Sequence, residues 1–122
     1  RTLESLYWLA LALKNGRTEF VVNQWDPYEL KDSFETYNSA LEYLLDLKLA
    51  KISAVTSIMI TPSYRIKSVD ALITNFHLPK STLLLLVSSA IGENWKVVYN
   101  HALENGYRFL SFGDSSFLTI RK

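Results

Sequence analysis

The sequence predicts an α/β fold, a mixed sheet covered by helices, in one domain over residues 1–122. Three observations carry this expectation. Helical and strand-like stretches follow one another in the order α-β-α-β-β-α-α-β, an order that by itself also admits α+β. Hydrophobic residues make up 48% of the chain, enough for a true core and against disorder. At 122 residues the chain is long enough for one domain and short for two.

Composition also excludes several classes. The 13 basic and 12 acidic residues leave a net charge of +1, so any nucleic-acid contact needs a local basic patch. There is no cysteine, hence no disulfide and no thiolate metal site. Two isolated histidines, His77 and His101, argue against a histidine metal cluster. No apolar run approaches the ~20 residues of a membrane helix, and no signal-peptide pattern is present. The expectation is a cytoplasmic protein with no membrane partner. The first residue is Arg1, and the helical pattern is already under way there, which suggests a piece of a longer chain.

Taken in order, Leu3, Leu6, Tyr7, Ala10 and Leu13 recur at helical spacing, with Thr2 as the expected N-cap and Asn15-Gly16 as the stop. Residues 19–22 read as a short strand and residues 24–28 as a turn around Pro27. Asp32 or Ser33 is the expected cap of a helix over residues 33–49, with Phe34, Tyr37, Leu41, Leu44, Leu45 and Leu49 on its core face. Its aromatic residues are read as core packing.

Residues 54–60 are β-branched and apolar, hence a strand. A turn follows at 61–64. Residues 64–67 and 69–74 read as a further strand, bent at Ser68 and antiparallel to the preceding one. A loop over 75–82 then leads into a helix over 81–91, apolar on nearly all sides and so expected to be sandwiched. Gly92 breaks it. Trp95, Val98, Tyr99, Ala102 and Leu103 define the next helix, ended by Asn105-Gly106. Strands are expected at 107–112 and 117–120, separated by a loop at 113–116.

Four constellations could carry chemistry. Lys80-Ser81 resembles the end of a P-loop, but the glycines that wrap phosphates are missing, which rejects a nucleotide triphosphatase. A helix start bearing Lys80, Ser81 and Thr82 still suits one phosphate or carboxylate. Capping by Ser81 with a solvated Lys80 is the simpler alternative. His77 follows an apolar strand, where an imidazole acts as acid or base near neutral pH or merely hydrogen-bonds a loop carbonyl. Asp114, after a strand, either faces a pocket or makes an Asx turn. Arg1, Arg65 and Arg108 suit phosphate or carboxylate, and Glu4 a substrate hydroxyl or amine; each equally suits a surface ion pair. His101 points off the apolar face and is read as a surface residue.

The stretch Asp70-Ala-Leu-Ile-Thr-Asn-Phe-His-Leu-Pro-Lys-Ser-Thr-Leu83 closely resembles the signature of the S-adenosylmethionine:tRNA ribosyltransferase-isomerase family of queuosine biosynthesis. Three further segments fit in the same order. Arg1-Thr-Leu-Glu-Ser5 is similar to the segment after that family's Gly-Thr-Thr run. Residues 58–67 resemble its Tyr-Pro-Gly-Tyr-Arg-Phe stretch, and Tyr107-Arg-Phe-Leu-Ser-Phe-Gly-Asp114 its C-terminal Tyr-Arg-Phe-Phe-Ser-Tyr-Gly-Asp. The likeness covers residues 1–13 and 56–118. Ser63 stands where the family has Gly, and Thr61 where it has Tyr. Residues 17–55 read as longer than the matching family segment, an insertion.

The resemblance implies the C-terminal part of the family's catalytic α/β domain. It implies an enzyme that moves and isomerises the ribosyl part of S-adenosylmethionine onto 7-aminomethyl-7-deazaguanine in tRNA, giving epoxyqueuosine. S-adenosylmethionine and tRNA are then the partners, and no metal is needed. His77 and Asp114 become the catalytic candidates. Arg1, Glu4, Arg65, Asn75, Lys80, Ser81, Thr82 and Arg108 become substrate-binding candidates. A chain of this extent alone is expected to be inactive. A non-catalytic tRNA-binding or interaction module built on the same fold is the alternative.

Overall fold

The structure, a computed structural model, describes residues 1–78, 80–110 and 113–121. Elements follow as α1 (Thr2–Lys14), β1 (Val21–Val22), α2 (Asp26–Glu29), α3 (Tyr37–Asp46), β2 (Val55–Thr56), β3 (Ala71–Asn75), α4 (Leu83–Ile91), α5 (Asn94–Glu104) and β4 (Ser115–Thr119). The α/β class stands, with the single-turn α2 added, but among the described residues the expected single mixed sheet is two separate two-stranded sheets, one parallel and one antiparallel. Two compact units divide the chain, Arg1–Met59 and Ile60–Lys122.

In the first unit, α1 is buried more completely than a one-faced helix. The unbroken apolar run over residues 6–13 leaves no polar stripe, and Tyr7, Trp8, Leu9, Ala10, Leu11 and Ala12 are all buried while Leu3 is exposed. Thr2 lies inside the helix and does not cap it; Arg1 holds the cap position without a side-chain bond. β1 and β2 pair in parallel, Val21 opposite Val55 and Val22 opposite Thr56. Flanking bonds from Ser57 N–H to Val22 O (3.0 Å) and Met59 N–H to Gln24 O (3.1 Å) lengthen the pairing. A parallel pair needs a long crossover, and α2 and α3 provide it.

Two expectations shift here. The turn at Pro27 is a helical turn, because proline at the first helical positions loses no hydrogen bond. The following helix starts later than Asp32 or Ser33: Thr36 caps it, its hydroxyl accepting from Ser39 N–H at 3.1 Å. That phase buries Ala40 and Leu44 and exposes Leu45 and Leu49. The aromatic residues do pack, Phe34 lying 5.9 Å from both Tyr7 and Tyr43.

The loop from α1 to α2 is held by an ion pair. Arg17 clasps Asp26 through Nη1–Oδ2 (2.5 Å) and Nη2–Oδ1 (3.0 Å), and Asn23 N–H donates to Oδ2 at 2.7 Å. Asp26 is buried. Burial by itself would raise its pKa, but the Arg17 hydrogen bond, the Asn23 amide and the Arg17 charge outweigh it and hold the carboxyl below its ordinary value. A depressed carboxylate stabilises the fold fully above the unfolded value of ~3.9, and that contribution is lost as pH falls through the folded value. Arg17→Met, which leaves the buried carboxylate unpaired, is expected to cost about 2–3 kcal/mol in urea titrations at neutral pH. The cost should shrink on acidification below pH ~3.9. An unchanged unfolding midpoint at neutral pH would refute this.

In the second unit, β3 pairs antiparallel with β4 from Ala71–Thr119 to Asn75–Ser115. The expected strand at 64–67 is an extended segment without a ladder: Tyr64 and Ile66 are buried and Arg65 is exposed, but β3 takes β4 as its partner. The expected antiparallel pairing of β3 with the preceding strand is replaced by its ladder with β4. Residues 107–110 are not a strand either, and residues 111–112 of that expectation lie outside the described residues. Two of their carbonyls accept within a loop, Arg108 O from Asp114 N–H (2.8 Å) and Leu110 O from Gly113 N–H (2.9 Å).

The core of this unit is Phe76, Leu84, Val87, Tyr99, Ala102 and Leu118. Leu103 of the expected apolar face is exposed. Gly92 (φ 65°) turns the chain from α4 into α5. Arg121 braces that corner, its Nε donating to Ser89 O at 3.1 Å and its N–H to Ala90 O at 2.8 Å. A cation at a helix C-terminus also favours the helix dipole. Among the described residues no helix is long and apolar enough to cross a membrane.

Candidate functional site

The end of β3 lies beside the start of β4, and the acid–base candidates His77 and Asp114 flank that end. Asn75 is the last residue of β3, opposite Ser115. One residue on, Phe76 N–H donates to Asp114 O at 3.3 Å, and Phe76 O accepts from Leu110 N–H at 2.8 Å. Phe76 therefore joins the backbone leading to His77 with the loop that ends at Asp114. Its ring anchors the junction, 5.5 Å from Tyr99, 5.6 Å from Phe109 and 5.7 Å from Tyr107.

His77 is half-buried. Its backbone N–H donates to Tyr99 Oη at 3.1 Å. Its Nε2 lies 3.2 Å from Thr74 Oγ1, a hydrogen bond whose donor depends on the imidazole tautomer. Thr74 and Tyr99 thus hold the ring and the backbone of one residue. Asp114 accepts from Arg108 N–H through Oδ2 at 2.8 Å, while Oδ1 lies 4.0 Å from Arg108 Nη2. One carboxylate oxygen closes the loop, and the other faces the exposed guanidinium.

Lys80, Ser81 and Thr82 come together in a cleft of about 260 Å³ whose other walls are Pro62, Leu84, Leu85, Ser88 and Trp95. Ser81 does not cap α4. Thr82 holds the cap position in a helical conformation (φ −65°), with no side-chain bond to the helix. Ser81 Oγ is shut off from solvent without a hydrogen-bond partner. The amides at this helix start are engaged locally: Ser81 N–H with Leu78 O (3.3 Å), Leu84 N–H with Ser81 O (3.1 Å) and Leu85 N–H with Thr82 O (3.2 Å).

The remaining candidates lie elsewhere. Arg65 is exposed on the segment after Pro62 and does not line the cleft. Arg1 and Glu4 belong to the first unit; Arg1 is exposed and Glu4 is buried in α1. His101 is a surface residue, as expected. Sequence reasoning missed Thr74, Phe76 and Tyr99. Tyr99 sits 22 positions beyond His77 and had a complete explanation as core, so spacing held no trace of its hydroxyl's task. Thr74 left a weak signal, three residues before the histidine it touches.

A family model described as Queuosine biosynthesis protein matches residues 35–118. The S-adenosylmethionine:tRNA ribosyltransferase-isomerase of Allorhizobium ampelinum is 58% identical over 74 residues, 60% of this chain and 21% of that protein. The protein of the same name from Ralstonia nicotianae is 57% identical over 75 residues, 61% of this chain and 21% of that one. Among solved structures, the S-adenosylmethionine tRNA ribosyltransferase of Thermotoga maritima superposes with a TM-score of 0.50 at 36% identity. That superposition covers 66% of this chain and 30% of the other. The chain spans about a fifth of the length of the curated relatives it matches.

Proposed function

The chain belongs to the queuosine biosynthesis protein family, and on that premise we propose that it supplies part of the active site of an S-adenosylmethionine:tRNA ribosyltransferase-isomerase. S-adenosylmethionine is the ribosyl donor, and 7-aminomethyl-7-deazaguanine in tRNA the acceptor. Adenine and methionine leave, and the product base is epoxyqueuosine.

The observation that carries this reading is the junction at Phe76, which sets His77 and Asp114 at one end of the ladder. The chemistry needs a group that removes a proton beside the sulfonium and a group that helps adenine depart. The His77 imidazole is the candidate for the first task, since a ring nitrogen can accept a proton. Thr74 Oγ1 fixes its orientation through Nε2. The Asp114 carboxyl is the second acid–base group, held by the Arg108 amide. Lys80 and Thr82 take the methionine carboxylate or a tRNA phosphate, and Arg65 and Arg108, both exposed, take further phosphates. Asn75, Ser81, Arg1 and Glu4 remain substrate-binding candidates.

The test supplies the rest of the protein from a relative. In a chimaera, the matched segment of the Allorhizobium ampelinum enzyme is replaced by this chain's residues. Adenine release from S-adenosylmethionine is then followed with and without tRNA bearing the aminomethyl-deazaguanine. The expected outcome is release that depends on that tRNA, slowed about 100-fold or more by His77→Gln. An unchanged rate in His77→Gln would remove that residue from the mechanism. A chimaera that binds tRNA and releases no adenine would favour the non-catalytic module.

A further inference from the structure

Leu72 and Leu118 are ladder partners, and both belong to the core of the second unit, Leu118 buried and Leu72 packed against it. Strand geometry then turns their neighbours to the opposite face. Ile73 and Phe117, partners of each other, are 70% and 69% exposed there. The rest of that face is Ala71, Asn75, Ser115 and Thr119. None of the six is charged and none is proline. Sheets whose outer face meets water usually carry polar residues there, and unprotected edges usually carry lysine, proline or a bulge. Here the polar residues Asn75, Ser115 and Thr119 lie towards the two ends, and the centre of the face holds an aromatic side chain directly across from a β-branched one, both left in water with no charged residue on the face.

We propose that the Ile73–Phe117 face of the β3–β4 ladder is a docking surface for the polypeptide that family members carry outside the segment matched here. The curated relatives provide that occupant, since the matched segment is only 21% of their length. The size of the patch favours it over a second copy. Two bulky side chains fall well short of the ~800 Å² per partner of a stable interface between separate molecules. A surface within one polypeptide escapes most of the entropy lost on association, so a small apolar face suffices. The inference rests on membership of the family and not on the proposed activity.

Hydroxyl-radical footprinting read by mass spectrometry tests it, comparing the isolated chain with the chimaera. Ile73 and Phe117 should be oxidised readily in the isolated chain and lose that reactivity in the chimaera. Ile73→Asp and Phe117→Asp should leave the melting temperature of the isolated chain unchanged and lower that of the chimaera. Equal oxidation in both proteins would overturn the proposal. So would protection that grows with concentration in the isolated chain, which would assign the face to a second copy. A fall in the isolated chain's melting temperature would overturn it as well, by showing the pair already packed within its own unit. Adenine release is not needed for any of these readings, so the activity can fail while the docking surface stands.

Discussion

Phe76→Ala is expected to cost about 3–5 kcal/mol, the usual range for removing a buried aromatic ring. The ring is 3% exposed and touches three other aromatic side chains, Tyr99, Phe109 and Tyr107. Its backbone bonds to Asp114 and Leu110 survive the substitution, so the loss comes from the cavity and the broken ring contacts. Small domains are stable by only about 5–15 kcal/mol, and a loss of this size takes much of that margin. Urea unfolding of the isolated chain, followed by circular dichroism, reads it directly. Phe76→Leu, which keeps most of the volume, should lose much less. A loss under about 1 kcal/mol for the alanine variant would show that the aromatic cluster does not hold this junction. In the chimaera, the same substitution should depress adenine release beyond its effect on stability, because the ring packs the junction from which the His77 and Asp114 segments leave.

Gly113→Ala acts on the same loop by another route. A Cβ built at Gly113 would sit 2.4 Å from Arg108 O, 2.6 Å from Phe109 C and 2.7 Å from Arg108 C. All three are backbone atoms, and none can rotate aside. The loop must open to admit the methyl group. Opening strains or breaks Asp114 N–H to Arg108 O, Gly113 N–H to Leu110 O and Arg108 N–H to the Asp114 carboxylate. At about 1 kcal/mol per bond, and more for the one to a charge, the expected loss is about 2–4 kcal/mol. Gly92→Ala is the control. Its Cβ would meet the flexible end of Arg121, at 2.9 Å, and its cost comes from the backbone (φ 65°, ψ −147°), a region open essentially to glycine, roughly 1–3 kcal/mol. Urea midpoints should therefore rank Gly113→Ala below Gly92→Ala, and the reverse ranking would refute the steric account.

Much of this was legible in the chain, and the helices most of all. α1, α4 and α5 lie where apolar spacing and the stop signals Asn15-Gly16, Gly92 and Asn105-Gly106 put them. Helical hydrogen bonds close within four residues, so a local pattern suffices to mark them. The helix over 37–46 was legible in kind but not in phase, because Thr36 outcompeted two equally good caps upstream. Over residues 107–110 the expected strand failed for a related reason. Apolar residues bracketing Arg108 look like a strand, but the Asp114 carboxylate and the Arg108 carbonyl tie that segment into a closed loop.

The candidate site divides the same way. His77 and the Lys80-Ser81-Thr82 group were legible as residue types placed after a strand and before a helix, Asp114 was singled out for following a strand that residues 107–110 do not form, and the run over residues 70–83 made the family recognisable. The sequence by itself determined the order of elements, the helices and the family, since each is written in local spacing or in contiguous residues. Only the tertiary structure decided that β3 pairs with β4 across some forty residues of chain, that Tyr99 and Thr74 hold His77, and that Phe76 joins the two loops. Those contacts depend on which distant groups meet once the core has closed. A one-dimensional pattern holds no term for partners chosen by packing.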